Sequence, residues 1–599
     1  EPDEGVRLVS AVTGQKNGIA ADAVFPEALV GNPLFPEQVG VSGVRIVKEE
    51  PFVIRNFKLP EDNNEGRAIR PTDIAFLSDG VGLVCTFDGD VWRVEGLSAE
   101  EANWTRVATG IFEPMDIEVD GRDRIFVLGR DQVTELIDTN SDGHIDVYRN
   151  ATDHILQTLH TRDYATSLVV EPDGSFLLAK GGIPSLDKGL EAEVGHRGQI
   201  VRISEDGKKV EVLADGLRLP YVGRRADGAI FASDQQGHYV PSTPLLRVDG
   251  GRPFFGFEPT KFRPGANVTE PLLWYPHQVN RSGAGFATLS EKGFPDLGGG
   301  FLQVSWNGRL FPVVAGEAGA AFSWQLPVQF DFPTLKGASH PETGELFVIG
   351  LGISGYKPTT PELSGLASIR QGAPMVVSTG LDLKKGRLEV VFAKPLTAVQ
   401  SVGVSSLKLW DIKRTGAYGS GHFLWDGKPG EHHVEVNTVM LSEDRQRVVI
   451  SVPPIYRSDI MALGLSITDG ARSYPLTLFT RPSHLAKATA KELTEVRKRE
   501  GGTVVLKKGD AVKGMGVFTG FACSGCHSLS GEKLAGPPLN GVATRAQKES
   551  QGLDVYLRES ILTPNKLIAA GYEPAMPSFE GVLPAQDLEN LLAYLKTLK

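Results

Sequence analysis

The sequence predicts a multidomain, mainly β protein that ends in a small all-α domain. Three observations lead to this fold class. The chain has 599 residues, too many for one hydrophobic core, so several domains are expected. Short runs of Val, Ile, Leu and Phe, separated by Asp-Gly and similar turns, fill much of the first two thirds. Amphipathic helical patterns come near the C-terminus, around a Cys-x-x-Cys-His sequence.

Composition and charge argue against several classes of protein. The formal net charge is −11 and no long basic run offers phosphate contacts, so nucleic acid is not an expected partner. The sequence contains no run of about 18 apolar residues, so no membrane span is expected. It also starts without the basic and apolar regions of a signal peptide, and we expect that any export signal has been removed.

Residues 1–50 are rich in Gly, Pro and Ala, which predicts an extended lead-in that wraps the next domain. Residues 51–371 are predicted to form a six-bladed β-propeller, because a unit of strand, tight turn and second buried strand recurs at the period of propeller blades. The copies lie at 74–80, 117–121, 168–174, 223–228, 298–304 and 338–344. The alternatives are an irregular sandwich or a blade count that differs by one.

A candidate calcium loop lies inside the predicted propeller. Its possible ligands are Asp138, Asn140, Asp142, His144 and Asp146. Oxygen side chains at alternate positions, with Gly143 at the sharp turn, give the DxNxDG pattern of calcium loops. Arg149 stands where an EF-hand has its bidentate Glu, so the ion would staple a hairpin rather than take part in chemistry. The alternative is an Asx-rich turn that holds no ion.

Residues 372–482 are predicted to form an immunoglobulin-like β-sandwich. Runs such as 387–392 and 447–452 alternate polar and apolar residues, as sandwich strands do, although no cysteine pair joins them. The region shows no catalytic constellation and is expected to be a spacer or a docking platform. Residues 483–506 are polar and charged, and they predict a helix or linker that leads to the last domain, 507–599.

The strongest functional motif is Cys523-Ser524-Gly525-Cys526-His527. A CxxC pair followed directly by histidine is the attachment pattern of a c-type haem. Each thiol adds to one haem vinyl group, and His527 lies under the iron as its proximal ligand. A zinc site would need four ligands, but the chain has three cysteines and no histidine after His527. The motif therefore predicts covalent haem c.

Met576 is the predicted sixth ligand of the haem iron. It is the only methionine after His527, and it lies in the loop Glu573-Pro574-Ala575-Met576-Pro577. A thioether opposite an imidazole raises the haem potential, as electron transfer often requires. The alternative is a buried methionine that only fills space.

Residues 507–599 resemble the class I cytochrome c family. The similarity rests on an amphipathic segment at 509–521 before the motif, on the loop 536–541, which is similar to that family's GPxLxG, and on a closing helix at 584–595. It implies that Phe518 and Tyr594 pack where the first and last helices cross.

The same resemblance implies roles for two residues beside the haem. The Pro537 carbonyl would accept the Nδ1 proton of His527 and so orient the ligating imidazole. Arg545 would steady a haem propionate. Haem attachment is completed outside the cytoplasm in bacteria, so the motif predicts a periplasmic or otherwise exported protein. Cys85 is then predicted to be a buried, inert strand thiol.

The predicted propeller resembles the glucose/sorbosone dehydrogenase-like propellers, and the whole order of domains resembles propeller–cytochrome proteins predicted from planctomycetes. The segments that carry the similarity are 198–203, 216–220, 233–237, Gly256 and 274–277. Characterised members of that family oxidise sugars with pyrroloquinoline quinone and calcium. The resemblance thus implies Arg218 as a quinone contact and His160 as the catalytic base. Structural roles, a blade-to-blade pair for Arg218 and a plain loop position for His160, are the alternatives.

Two functions follow from these motifs. In the first, a sugar or polyol is oxidised on the propeller and its electrons leave through the haem to a redox partner protein. In the second, the propeller is a non-catalytic module that binds a partner or a glycan, and the haem only relays electrons. Both functions are electron transfer by an exported c-type cytochrome, and they differ in whether the chain is an enzyme.

Overall fold

The structure is a computed structural model that describes residues 35, 37–99, 101–157, 164–183, 195–248, 250–260, 265–315, 321–352, 360–469, 473–500, 507–547, 549 and 551–599. The described chain is mainly β and is built of antiparallel sheets. Its α-helices all lie after residue 489. This confirms the mainly β class with a small helical C-terminal domain.

The described residues of the N-terminal part form 26 strands. They are β1 Gln38–Ser42, β2 Arg45–Glu49, β3 Phe52–Phe57, β4 Pro71–Phe76, β5 Gly82–Thr86, β6 Val91–Glu95, β7 Glu101–Ala108, β8 Asp116–Val119, β9 Ile125–Leu128, β10 Val133–Ile137, β11 Val147–Thr152, β12 Ala165–Val170, β13 Phe176–Lys180, β14 Gln199–Ile203, β15 Val210–Ala214, β16 Tyr221–Arg224, β17 Ile230–Ser233, β18 Thr243–Arg247, β19 Leu273–Tyr275, β20 Gly283–Thr288, β21 Phe301–Ser305, β22 Arg309–Ala315, β23 Ala321–Trp324, β24 Lys336–Ser339, β25 Leu346–Leu351 and β26 Ser364–Gln371. A short 3-10 helix, Glu258–Thr260, lies between β18 and β19.

These strands form six antiparallel sheets arranged as a β-propeller. The first strand of each sheet (β4, β8, β12, β16, β20 and β24) contacts the first strand of the next, and β24 contacts β4, so the ring closes. The last sheet has the order β2-β3-β26-β25-β24, with Ile54 of β3 opposite Ile369 of β26. Strands from both ends of this region therefore complete one sheet. The residues assigned to the lead-in contribute β1, paired with β7, and β2.

The recurring Asp-Gly turns join the first and second strands of several sheets. In the first sheet, Gly80 has φ +85°, a backbone conformation that glycine adopts without strain. The Asp79 carboxylate accepts the Val81 N–H at 3.0 Å and so closes the turn. Asp173 and Ser175 repeat this bond at 3.0 Å in the third sheet.

Charged side chains on the inner strands bond the sheets to one another around the ring axis. The Asp73 carboxylate on β4 accepts the Ile117 N–H of β8 at 3.2 Å, and Asp116 on β8 accepts the Leu168 N–H of β12 at 2.8 Å. Lys336 on β24 donates to Asp116, which lies two sheets away in the ring. A cavity of about 420 Å³ opens beside these residues and is also lined by Glu118. We call Asp73, Asp116, Glu118 and Lys336 the axial cluster.

Eight further strands follow the ring. They are β27 Ser378–Lys384, β28 Arg387–Phe392, β29 Ser401–Trp410, β30 His432–His433, β31 Thr438–Leu441, β32 Arg447–Ser451, β33 Ile460–Thr468 and β34 Ser473–Thr480. One sheet has the order β27-β28-β32-β31. The other, β34-β33-β29-β30, continues the fifth sheet of the ring through the pairing of β23 with β34. Leu388, Ile450 and Leu463 belong to the fully buried core shared by these sheets.

The C-terminal part is helical. Its helices are α1 Ala490–Glu500, α2 Ala511–Gly520, α3 Val542–Ala546, α4 Leu553–Leu562 and α5 Ala585–Leu595, with 3-10 turns at Cys523–Gly525 and Pro564–Lys566. Helix α2 begins at Asp510, whose carboxylate accepts the Val512 N–H at 2.9 Å. In the described part of the chain, no helix is long and apolar enough to cross a membrane.

Helices α2 and α5 cross in close contact. A Cβ on Gly514 would lie 2.0 Å from the Asn590 carbonyl oxygen, so only glycine allows this approach. Phe518 and Tyr594 pack at the same crossing, with ring centroids 5.5 Å apart, where the resemblance to cytochromes c places them. The crossing forms one wall of the cavity that holds the candidate site.

Candidate haem cleft between the helical domain and the ring

A cavity of about 920 Å³ lies between the helical domain and the ring, and it brings the predicted haem residues together. Cys523, Cys526, His527 and Met576 all line it. Pro537 and Arg545 line it as well, together with apolar side chains of the helices. The opposite wall comes from the ring and from the sandwich region, so the cleft belongs to more than one domain.

His527 is oriented as a metal ligand would be. Its Nδ1 lies 2.8 Å from the Pro537 carbonyl oxygen, the contact implied by the resemblance to cytochromes c. This bond leaves Nε2 as the nitrogen available to a metal. A Cβ on Gly536 would lie 2.6 Å from the ring of His527, so the imidazole sits in a cradle that only glycine permits. Burial lowers the pKa of His527, against the hydrogen bond to Pro537, and this favours the neutral imidazole that binds metals.

The two cysteines lie on the short 3-10 turn that follows α2. Both are free and half-buried. The turn is entered through Ala522, which has a left-handed φ of +55°, and the His527 N–H closes it on the Cys523 carbonyl at 3.0 Å. Burial raises the pKa of Cys523 to about 12, so its thiol is protonated at neutral pH.

Met576 and Arg545 both line the cavity, and their roles beside a haem stay predictions. Met576 follows Pro574 in the loop between α4 and α5. Arg545 donates to the carbonyl oxygens of Asn540 and Pro538, so its guanidinium already braces the loop that follows the haem motif.

Arg281, on the ring, also lines this cleft, although no sequence motif singles it out. One guanidinium nitrogen, Nη1, lies 3.3 Å from the Ala522 carbonyl oxygen, and Nη2 lies 3.4 Å from Cys526 Sγ. Burial and the charge of Arg281 lower the pKa of the neighbouring His277 to about 3, so that imidazole is neutral. The nearest signal in the sequence is the segment 274–277, which carries part of the resemblance to the dehydrogenase-like propellers.

Arg309 supports the loop that carries Arg281. Its Nη1 donates to the Val279 carbonyl at 3.0 Å and to the Gln278 carbonyl at 3.3 Å. Burial lowers the pKa of this guanidinium. The ring wall of the cleft is therefore a braced loop with two cationic side chains.

The helical domain also touches the sandwich region through its backbone. The His422 N–H donates to the Glu580 carbonyl at 3.0 Å. A Cβ on Gly421 would lie 2.3 Å from the Glu580 oxygen, and a Cβ on Gly581 would lie 2.2 Å from the His422 oxygen. The two loops meet so closely that both positions require glycine.

Arg218, one of the two residues predicted for sugar oxidation, is tied into the ring and does not line the haem cleft. The Arg218 N–H donates to Asp234 at 2.8 Å, and its buried guanidinium lies 5.5 Å from the ring of Tyr418. Arg218 lines neither of the two cavities described above. His160 lies outside the described residues.

The candidate calcium loop forms a network of Asx turns. The Asp138 carboxylate accepts the N–H groups of Ser141 at 2.7 Å and Gly143 at 2.8 Å, and Asp142 accepts that of His144 at 2.9 Å. Thr139 donates to Asp146 at 2.6 Å. Across the described residues, no group of three or more His, Cys, Asp or Glu side chains is placed to hold a metal ion. Calcium binding by this loop stays a prediction.

Parts of the chain are similar to known proteins. The family model described as cytochrome c matches residues 511–599. A glucose dehydrogenase structure aligns at 13% identity over 50% of this chain and 96% of its own, with a TM-score of 0.40. The holo form of the pyranose dehydrogenase PQQ domain from Coprinopsis cinerea aligns at 12% identity over 55% and 97%, with a TM-score of 0.39. No curated protein matches the sequence.

The residues of the cleft fit haem c. Two free thiols, a neutral imidazole fixed through Nδ1 and a thioether line one largely apolar cavity, which is the donor set that the group requires. The propeller is described from its own closed ring of sheets. The chain is a β-propeller fused to a C-terminal domain of the cytochrome c family.

Proposed function

We propose that this protein is an exported c-type cytochrome that transfers electrons through one covalent haem. Cys523 and Cys526 would attach the haem, while His527 and Met576 would coordinate its iron. The observation that carries the proposal is that these four side chains, three from one motif and Met576 from a loop much later in the sequence, line one cavity of about 920 Å³.

The haem would supply a one-electron carrier, and the chain would tune and protect it. The bond from His527 to Pro537 fixes the imidazole, and the apolar walls keep water from the iron. Met576 would complete the coordination and leave no open position, which favours electron transfer over ligand binding or haem catalysis.

The test is to produce the full chain in a host with haem-attachment machinery. We expect haem that stays on the chain in a denaturing gel and a reversible one-electron titration. Met576→Ala should lower the midpoint potential, because the thioether favours the reduced iron. Met515→Ala, at an exposed methionine on α2, is the matched control. A potential that Met576→Ala leaves unchanged would exclude this ligand, and a chain without covalent haem would refute the proposal.

We further propose the architecture in finer terms. The six sheets of the ring are taken as six blades, with the propeller at 51–371 and an immunoglobulin-like sandwich at 372–482. Residues 483–506 would be the linker to the cytochrome c domain at 507–599. The closed sequence of contacts between the inner strands supports the blade count, and the two facing sheets around Leu388 and Leu463 support the sandwich.

A second proposal is that the propeller oxidises a sugar or polyol and passes the electrons to the haem. The supporting observation is that ring residues, including His277 and Arg281, form a wall of the haem cleft itself, so a donor on the ring would lie near the acceptor. Pyrroloquinoline quinone would be the two-electron cofactor, with Arg218 and His160 beside it. The alternative is a propeller that binds a partner protein or a glycan without chemistry.

Anaerobic stopped-flow reduction of the haem separates these two readings. Oxidised protein, loaded with quinone and calcium, would be mixed with a panel of sugars. Haem reduction that needs both the quinone and one sugar would establish a dehydrogenase. If no sugar reduces the haem and no quinone binds, the propeller is a recognition module.

A further inference from the structure

We infer that the propeller and the sandwich form a fixed seat for the haem domain, in which Arg281 turns the Cys526 edge of the haem toward the ring and raises its reduction potential. Arg281 is thus a positioning and tuning residue in a different domain from the haem ligands. The inference rests on the proposed attachment of haem to Cys523 and Cys526.

Arg281 is placed to act on the haem through its attachment turn. Its guanidinium contacts both the Ala522 carbonyl and Cys526 Sγ, the first and last parts of that turn. Covalent attachment would join the sulfur to a vinyl-derived carbon, so that the edge of the macrocycle would lie two bonds beyond the sulfur. A cation 3.4 Å from Cys526 Sγ would therefore lie beside the haem edge, and that edge would face the ring.

The positive charge of Arg281 is not neutralised nearby. Within the described part of the chain, neither Arg281 nor the neighbouring Arg309 forms an ion pair with a carboxylate. His277 adds no charge, because its imidazole is neutral. A partly buried cation without a counter-ion stabilises an added electron more strongly than a solvated one, since its field is less screened. The reduced haem gains from this field, and the potential rises.

The seat is rigid because backbone atoms of the sandwich region pack directly against backbone atoms of the helical domain. The His422 N–H bond to the Glu580 carbonyl, at 3.0 Å, and the glycine contacts of Gly421 and Gly581 leave no room for side chains between the loops. Arg309 braces the Arg281 loop from behind through the Val279 and Gln278 carbonyls. The haem domain is therefore held by contacts on two domains.

The test compares haem midpoint potentials of full-length variants by spectroelectrochemical titration. Arg281→Gln should shift the equilibrium toward the oxidised haem by roughly tenfold, which equals about 59 mV for a one-electron couple. Arg281→Lys keeps the charge and should retain more than half of this effect. Arg122→Gln removes the same charge from an exposed turn beside the axial cavity, which no residue of the haem domain lines, and should leave the potential unchanged.

A second pair of variants tests the seat without touching any charge. Gly421→Ala inserts a methyl group against Glu580, at a position without a left-handed φ, and should lower the potential in the same direction as Arg281→Gln. Gly403→Ala, with open space around its Cβ, is the matched control. In the double variant Arg281→Gln with Gly421→Ala, the two shifts in potential should not add, because each substitution removes the same contact between Arg281 and the haem turn.

Each outcome decides a different claim. If Arg281→Gln and Arg122→Gln give the same potential, the tuning role is refuted. A potential that falls with Arg281→Gln but not with Gly421→Ala would retain the tuning role and refute the rigid seat. Absence of covalent haem from the wild-type chain refutes the proposed function itself, and it is seen in the gel before any potential is measured.

Discussion

The ring axis and the haem cleft both gather charged side chains, but they differ in whether those side chains have partners. On the axis, Lys336 pairs with Asp116, and the carboxylates of Asp73 and Asp116 accept backbone N–H groups of neighbouring strands. In the cleft, Nδ1 of His277 has no partner and Arg281 has no counter-ion among the described residues. Buried polar groups in proteins are normally satisfied by the protein itself.

This difference distinguishes a cluster that stabilises the fold from a cluster whose side chains are available to bind another group. The charged groups of the axial cluster bind other groups of the ring. Asp116 Oδ1 is the one buried oxygen of this cluster that has no hydrogen-bond partner among the described residues. The much larger cleft keeps two unbridged thiols and an unpartnered imidazole nitrogen, and among the described residues its two arginines have no carboxylate counter-ion. Variants in the two places should therefore fail in different ways, the cleft by losing haem and the axis by losing stability.

The largest expected effect is in the cleft. The double variant Cys523→Ser with Cys526→Ser should lose all covalent haem, because a hydroxyl cannot replace the thioether bond. Haem content per chain, measured after denaturation, checks this. Cys85→Ser is the control, since Cys85 is fully buried in β5 against Thr72 and far from the haem motif in sequence. Full haem retention in the double variant would overturn the attachment.

On the axis, Lys336→Met should lower the free energy of unfolding of the ring by about 3–5 kcal/mol, because it leaves a buried carboxylate without its cation. Burial would lower the pKa of Lys336, but the charges of Asp116 and Asp73 outweigh it and raise the pKa. Urea titration measures the loss. Lys384→Met, at an exposed pair with Asp382, should change stability by less than about 1 kcal/mol. Equal effects of the two variants would contradict a structural axis.

The frame of the cleft should be sensitive at the helix crossing. Gly514→Ala pushes a methyl group against the Asn590 carbonyl and should cost about 1–3 kcal/mol of stability in the haem domain. Gly516→Ala, on the exposed side of the same helix, should stabilise the helix by roughly 0.5–1 kcal/mol, because alanine lowers the conformational entropy of the unfolded chain. Thermal unfolding followed at the haem absorbance distinguishes the two. A stable Gly514→Ala variant would mean that the helices cross less closely than described.

The smallest effect concerns the pH dependence of the axis. Burial and the charge of Asp116 raise the pKa of Glu118 from 4.5 to about 8. The folded state then binds this proton more tightly than the unfolded state, so the stabilisation is complete below about pH 4.5 and is lost as pH rises through about 8. Glu118 lines an open cavity, so we expect a loss of about 1–2 kcal/mol rather than the full shift.

Glu118→Gln should flatten this part of the stability profile, measured as unfolding free energy from about pH 5 to pH 9. Glu443→Gln, at an exposed glutamate, is the control and should keep the slope of the wild-type chain. A wild-type profile that rises over this range would show that the carboxylate is not buried in the axial cluster.

The parts of the fold that sequence could predict are those governed by local chemistry. The CxxCH motif is recognisable because haem attachment requires that spacing of the two thiols and the imidazole, and the loop 536–541 follows it closely in sequence. Met576 could be named as a ligand because it is the only methionine after the motif. Asp-Gly turns mark the ends of inner strands such as β4 and β12 because the turn needs those residue types. The copy assigned to 298–304 lies one strand too late. The inner strand there is β20, and a long connection without an Asp-Gly turn separates it from β21.

Contacts between domains were not predictable from residue patterns. Arg281 contacts Cys526, which lies more than 200 positions later in the sequence. No residue pattern around Arg281 indicates that contact. His422 and Gly421 meet Glu580 through backbone atoms, which every residue type carries. Lys336 and Asp116 pair because the ring closes, and that closure joins strands from both ends of the propeller.

The shared sheet of the ring and the sandwich has a consequence for the rate of electron transfer. One hydrogen-bonded sheet runs from β20 on the ring axis through β23 and β34 to β29, whose end leads into the loop that carries His422. Tunnelling rates fall steeply with the distance between donor and acceptor. A continuous sheet holds the start of the His422 loop at a constant distance from the ring. For the proposed electron donor on the ring, we therefore expect haem reduction in a single kinetic phase that solvent viscosity does not slow.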